Sequence, residues 1–197
     1  MKSTPPNNER YSLVAIIFHW LIALLFLSMI CIGFYMTDLE SADLSLKFSL
    51  YQWHKSFGIT ILLLTLLRLG WRVGHSPPKS LAQNEKTQKA AKITHLSLYG
   101  LTLLIPLAGW AMVSASPFNI PTILFGEINW PHIAYFSNLP DKAAAEGVFK
   151  FVHKSLAYGA ALLVLGHAAA ALWHHYILKD ATLAKMMLKK SKMGTKP

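Results

Sequence analysis

Residues 151–177 read FVHKSLAYGAALLVLGHAAAALWHHYI. The stretch is apolar almost throughout, contains no Asp or Glu, and is long enough as a helix to cross a hydrocarbon core about 30 Å thick. It nevertheless carries His153, His167 and His174. An imidazole at membrane depth is costly without a partner, so each is a functional candidate. His153 and His167 are fourteen residues apart (167 − 153). That is almost four helical turns, which places them on nearly one face, about 21 Å apart along the axis. The same stripe runs His153, Ala157, Ala160, Val164, His167, Ala171, His174 in alternating steps of four and three.

Working outward, three further segments have the same character: about 13–36, 51–71 and 95–115. The chain is 53% hydrophobic and 14% charged, far more apolar than a soluble domain of this size. In lipid every backbone polar group needs an internal partner, so the segments are expected to be helices. The expected fold is an all-α membrane protein, a four-transmembrane-helix bundle forming one domain over 1–197. Its loops are expected at 72–94 and 116–150, and its basic tail at 178–197. The first segment is too long for a signal-peptide core and lacks a small-residue cleavage site after it, so it reads as a mature helix. The single cysteine, Cys31, excludes an intrachain disulfide or a cysteine-ligated cluster and reads as a packing residue.

The net charge of +10 is segregated along the chain, which argues against nucleic acid as the partner. Arg68, Arg72, Lys79, Lys86, Lys89 and Lys92 flank the second connection, and Lys179, Lys185, Lys189, Lys190, Lys192 and Lys196 fill the tail. The other two connections are more acidic, with Asp38, Glu40 and Asp43 in one and Glu127, Asp141 and Glu146 in the other. The positive-inside rule then predicts both termini in the cytoplasm, with the tail lying against anionic membrane lipid.

That topology decides which histidines meet. His54, in Trp53-His54-Lys55-Ser56, and His153, in His153-Lys154-Ser155, fall near the outer ends of their helices, whereas His19 and His167 fall toward the inner side. The expected pairs are His54 with His153 and His19 with His167. Structural zinc usually takes four close protein ligands. Two imidazoles at each of two levels instead suit a low-spin haem iron, whose other four positions the porphyrin fills. The expected cofactors are therefore two haem b groups, with each histidine's second ring nitrogen bonded to a carbonyl or hydroxyl. On the second helix the stripe His54, Gly58, Ile61, Thr65, Arg68, Arg72 puts small residues beside one level and propionate-binding arginines at the other. Gly33 relieves crowding at the outer level, and Lys55 and Lys154 attract an anion there or hold propionates.

Arg10-Tyr11-Ser12 with Phe18-His19-Trp20, Trp53 to Gly58, Arg68 to Arg72, His95 with Tyr99 and Pro106, and His167 through His174-His175-Tyr176 together resemble the bacterial cytochrome b561 family, as does Lys179-Asp180-Ala181-Thr182-Leu183. The resemblance covers about residues 9–188. It implies a dihaem b-type cytochrome of the inner membrane exchanging electrons with ubiquinone, with His19, His54, His153 and His167 as axial ligands. Two roles exist in that family. One is superoxide oxidase, passing electrons from periplasmic superoxide to ubiquinone; the other is an electron-transfer anchor for a dehydrogenase or hydrogenase. The superoxide-oxidising members carry a basic residue where this chain has Leu13, so both roles stay open. A histidine-relay transporter is the reading from another class, but the four segments hold no carboxylate, which such a relay is expected to use. His174 is a candidate quinone or propionate contact. His95 is expected at the start of the third helix in a capping or propionate-bonding role, and Pro106 is expected to kink that helix.

Overall fold

The computed structural model describes residues 10–39, 43–78 and 84–188. Glu40, Lys79, Lys189, Lys190, Lys192 and Lys196, which contribute to the charge pattern, lie outside them. The element order is α1 Leu13–Asp38, α2 Leu44–Gly74, α3 Glu85–Ser114, β1 Thr122–Leu124, β2 Ile128–Trp130, α4 Ala134–Ser137 and α5 Lys142–Tyr176, followed by a 3-10 turn at Ala184–Met186. The four long helices are each long and apolar enough to cross a membrane. Around the bundle α1 packs on α2, α2 on α3 and α3 on α5.

Three helices begin well before their apolar runs, because polar caps start them in the flanking connections. The Asp43 side chain accepts from Leu46 N at 3.0 Å, Asn84 from Thr87 N at 2.8 Å and Asp141 from Ala144 N at 3.0 Å. Each cap satisfies an amide that the first helical turn leaves without an intrahelical partner. His95 is therefore ten residues inside α3 (95 − 85), and the capping role expected for it belongs to Asn84. Pro106 is buried within α3, which runs uninterrupted from Glu85 to Ser114.

Large apolar side chains face outward along every span. Leu24 is 63% exposed, Leu67 62% and Leu162 73%, which suits a surface whose solvent is hydrocarbon. Cys31 is also on the exposed side of α1, so it is a lipid-facing thiol rather than the packing residue expected of it. Inside, Phe26, Met29, Ile61, Ile105 and Ala160 form a tight cluster bordered by Phe57, Leu101, Leu156 and Val164. The cluster lies midway along the bundle, between the outer and inner histidine levels.

The connection between α3 and α5 folds into a cap over one end. β1 and β2 pair antiparallel, Thr122 opposite Trp130 and Leu124 opposite Ile128. The tight turn between them has Phe125 at φ 54° and Gly126 at φ 80°, the left-handed pair of a type I′ turn, closed by Glu127 N donating to Leu124 O at 3.0 Å. Phe125 is held in this unfavourable region from both sides. Its amide donates to Ser56 Oγ at 3.0 Å, and its ring packs on Trp53 and Phe57. The other side of the cap hangs on Ser114, which has no solvent exposure; its Oγ accepts from Ile133 N at 2.9 Å and donates to Trp110 O at 2.7 Å. Ser114→Ala leaves a buried amide without an acceptor, a cost of about 1–3 kcal/mol. The variant should show a lower thermal midpoint in detergent and faster proteolysis within 115–141.

Candidate functional site

α2 and α5 present His54 and His153 to one another at the capped end, with ring centroids 6.2 Å apart and planes at 72°. Toward the other end α1 and α5 present His19 and His167, with centroids 6.3 Å apart and planes at 69°. Both expected pairs are thus brought together. An imidazole nitrogen binds a metal at about 2 Å, so two rings on opposite sides of one metal atom have centroids about 6 Å apart. Among the described residues no three His, Cys, Asp or Glu side chains are arranged to hold a bare metal ion. The pairs suit a metal that brings its own equatorial ligands.

The outer pair is built by close approach. His153 Nδ1 donates to Ile105 O at 2.9 Å; a carbonyl only accepts, so this ring carries its hydrogen on Nδ1 and turns Nε2 inward. Gly109, one turn after Ile105 on α3, is what admits the ring. A Cβ there would lie 3.2 Å from both His153 Cε1 and Nδ1. Across the pair, a Cβ on Gly33 would meet His54 Cε1 at an ordinary 3.5 Å, so its role in relieving crowding is slight. Gly58 abuts Met29 rather than a histidine. His54 Nδ1 is buried without a partner among the described residues, in contrast to the carbonyl or hydroxyl partner expected. Lys55 Nζ donates to Pro121 O at 3.1 Å and so ties the cap to α2. The Lys154 ammonium lies 5.9 Å from the Tyr158 ring centroid. Tyr158 in turn packs on Phe34 of α1 at 5.4 Å.

The inner pair opens on a cavity of about 2220 Å³ lined from all four long helices and the tail. Ala160, Val164, His167, Ala171 and His174 line it from α5, and Arg68 and Arg72 from α2. The small-residue stripe thus faces the cavity, whereas Ile61 and Thr65 of the α2 stripe are packed away at 2% and 1% exposure. Arg68 lies 3.4 Å from His19 Nδ1, with its guanidinium 5.0 Å from the Tyr99 ring centroid. His95 reaches this level as well, its ring 5.6 Å from that of His167.

The cavity mouth is crossed by both chain ends. Arg10 donates to Ala184 O at 2.9 Å, Tyr11 N to Lys185 O at 3.4 Å and Trp20 Nε1 to Met186 O at 2.7 Å. Burial pushes the Tyr11 phenol pKa up, and the Arg72 charge opposes part of that shift. Asp180, just beyond α5, holds His174 through Nδ1. Burial raises the Asp180 pKa, but hydrogen bonds from Thr182 and His174 outweigh it and leave the carboxyl below its ordinary 3.8.

Residues 10–189 match the family model described as prokaryotic cytochrome b561. The chain belongs to the prokaryotic cytochrome b561 family. It is 33% identical over 184 residues to cytochrome b561 homolog 2 of Escherichia coli (strain K12), covering 93% of this chain and 94% of the relative. It is 29% identical over 180 residues to cytochrome b561 homolog 1 of the same organism, with 91% and 97% covered. A probable superoxide oxidase CybB of Yersinia pestis is 31% identical over 186 residues, with 93% and 98% covered. This member of the b561 family is accordingly a multi-pass inner-membrane cytochrome of b type that serves electron transfer. Its residues fit that cofactor: both imidazole pairs have the separation that one metal between them requires.

Two outcomes follow from this geometry. Gly109→Ala should displace the His153 ring and lower bound haem or alter its visible spectrum, whereas Gly33→Ala should leave both near wild type; haem quantification of the purified variants compares them. The Asp180 contact contributes stability above the ordinary carboxyl range and loses it as pH falls through the lowered pKa, below 3.8. Acidification should therefore release the tail from α5 only below that value, read by proteolysis of residues 178–188.

Proposed function

We propose that this chain holds two haem b groups, one between His54 and His153 at the outer level and one between His19 and His167 at the inner level. The reading rests on a single observation: two histidine pairs of the same separation, 6.2 and 6.3 Å, at two levels of one bundle. Bound between such pairs, haem iron supplies reversible one-electron transfer. The chain's own residues fix the rings, exclude water between the levels with the Phe26, Met29, Ile61, Ile105 and Ala160 cluster, and set the surrounding charge. Arg68 and Arg72 line the inner cavity as partners for propionates or a quinone. Lys154 adds positive charge beside the outer pair, while Lys55 serves it by anchoring the cap.

The topology that the charge pattern supports has both termini in the cytoplasm and the cap in the periplasm. Electrons then pass from a periplasmic donor, through the outer and inner levels, to ubiquinone in the cavity that His174 lines. Superoxide is the donor favoured by the likeness to the probable superoxide oxidase of Yersinia pestis. A docked protein donor is the second reading, favoured by the exposed Phe118 and Tyr135 on the cap, 79% and 73% accessible.

Purified protein should carry two haems per chain. His54→Ala or His153→Ala should each remove the outer haem alone, and His19→Ala or His167→Ala the inner one alone. Rapid reduction by superoxide with ubiquinone as acceptor supports the oxidase. Haems indifferent to superoxide but reduced by a partner protein support the anchor role, and protein without haem overturns the proposal.

A further inference from the structure

The turn after α5 sets a carboxylate against a cavity-lining histidine. Asp180 Oδ2 lies 2.5 Å from His174 Nδ1, Asp180 Oδ1 accepts from Thr182 N at 2.8 Å, and the Asp180 amide donates to His174 O at 3.1 Å. A carboxylate only accepts, so His174 carries its hydrogen on Nδ1. That leaves Nε2 for the cavity, which both side chains line. The pair is not sealed: the His174 side chain is 36% exposed and that of Asp180 28%, so water reaches it. His174 is seven residues beyond His167 (174 − 167), about 10 Å along the helix. The tail that carries Asp180 is held by the bonds of Arg10, Tyr11 and Trp20 to residues 184–186.

We propose that Asp180 is a positioning residue for proton delivery: it fixes His174 so that Nε2 protonates a quinone carbonyl oxygen in the inner cavity. This rests on the quinone-reducing role proposed above. Reduction of a quinone to a quinol takes two electrons and two protons, each C=O becoming C–OH. The electrons come from the donor oxidised at the outer level. The Nε2–H bond of an imidazolium breaks as one quinone O–H bond forms, and the Nδ1–H stays on Asp180. Water at the mouth then returns a proton to Nε2, which supplies the second oxygen in the same way. The carboxylate balances the imidazolium in between, as an orienting acid does for a catalytic histidine. The other bases and phenols lining this cavity are Arg10 and Tyr11 before α1, His19 on α1, Arg68 and Arg72 on α2 with His75 just after it, Lys89, Lys92, His95 and Tyr99 on α3, His167 on α5 and Lys185 in the tail. Glu85, the other carboxylate in that lining, lies 3.8 Å from Lys89. Asp180 is thus the acid in contact with His174.

The test reduces wild type, Asp180→Asn and Asp180→Glu with dithionite and follows reoxidation by a short-chain ubiquinone across the neutral and alkaline range. Asn at this position should slow the maximal rate by roughly tenfold or more with the quinone KM little changed. It should also change the pH profile of the rate. Glu should restore most of both, while haem content and the rate of reduction by dithionite stay as in wild type. An unchanged profile in Asp180→Asn overturns this proposal alone. Wild type that passes no electrons to the quinone overturns it together with the quinone-reducing role. A fall in haem content and rate that Glu does not repair makes Asp180 structural and likewise overturns it.

Discussion

An imidazole nitrogen in hydrocarbon is costly to leave unbonded, and it has few candidate partners there. That constraint organises the bundle. His153 meets it through the Ile105 carbonyl, a backbone group that also belongs to the α3 helix. The bond is possible because Gly109 leaves room for the ring to cross from α5. Helix α3 must therefore approach α5 closely, and these two make the most extensive packing in the bundle. With α5 fixed in register, α1 and α2 carry the opposing rings at the two levels.

Irregular backbone at a membrane surface faces the same demand, and the cap meets it with side chains borrowed from the helices. Ser56, Gln52 and Lys55 of α2 bond the Pro121–Phe125 segment. Ser114 and Trp110 of α3 bond Pro131 and Ile133. At the opposite end, Ser12 accepts from Trp71 Nε1 and carbonyls of residues 184–186 accept from the N-terminal side. In both places the loops are held by polar groups at helix ends, where water and lipid headgroups begin.

Much of this was legible because it depends on period and depth alone. Histidines in apolar runs, fourteen residues apart, announce their own pairing once the helix directions are set by charge. Helix starts were less legible, since Asp43, Asn84 and Asp141 begin their helices in polar sequence that hydropathy assigns to connections; their capping chemistry was the available signal. Gly109 was not legible, because its role depends on which neighbour crosses it, and small residues abound in such helices. The bonding of Lys55 to Pro121 and of Asp180 to His174 depends on how connections fold back, a matter of tertiary geometry. The α2 stripe was half right for the same reason: Arg68 and Arg72 reach the cavity, while Ile61 and Thr65 are taken up by packing.

The apolar septum of Phe26, Met29, Ile61, Ile105 and Ala160 has an energetic consequence. It carries no group that holds a proton, so an electron crossing it inward travels without a compensating cation. Such transfer is electrogenic. A resting potential negative inside opposes it by about 2.3 kcal/mol per electron for each 100 mV across the full bilayer. The levels are about 21 Å apart on α5 within a core of about 30 Å, so most of that opposing drop falls between them. In the direction of flow proposed above, the voltage across the membrane would thereby act as a brake on the cytochrome, strongest when the cell is fully energised.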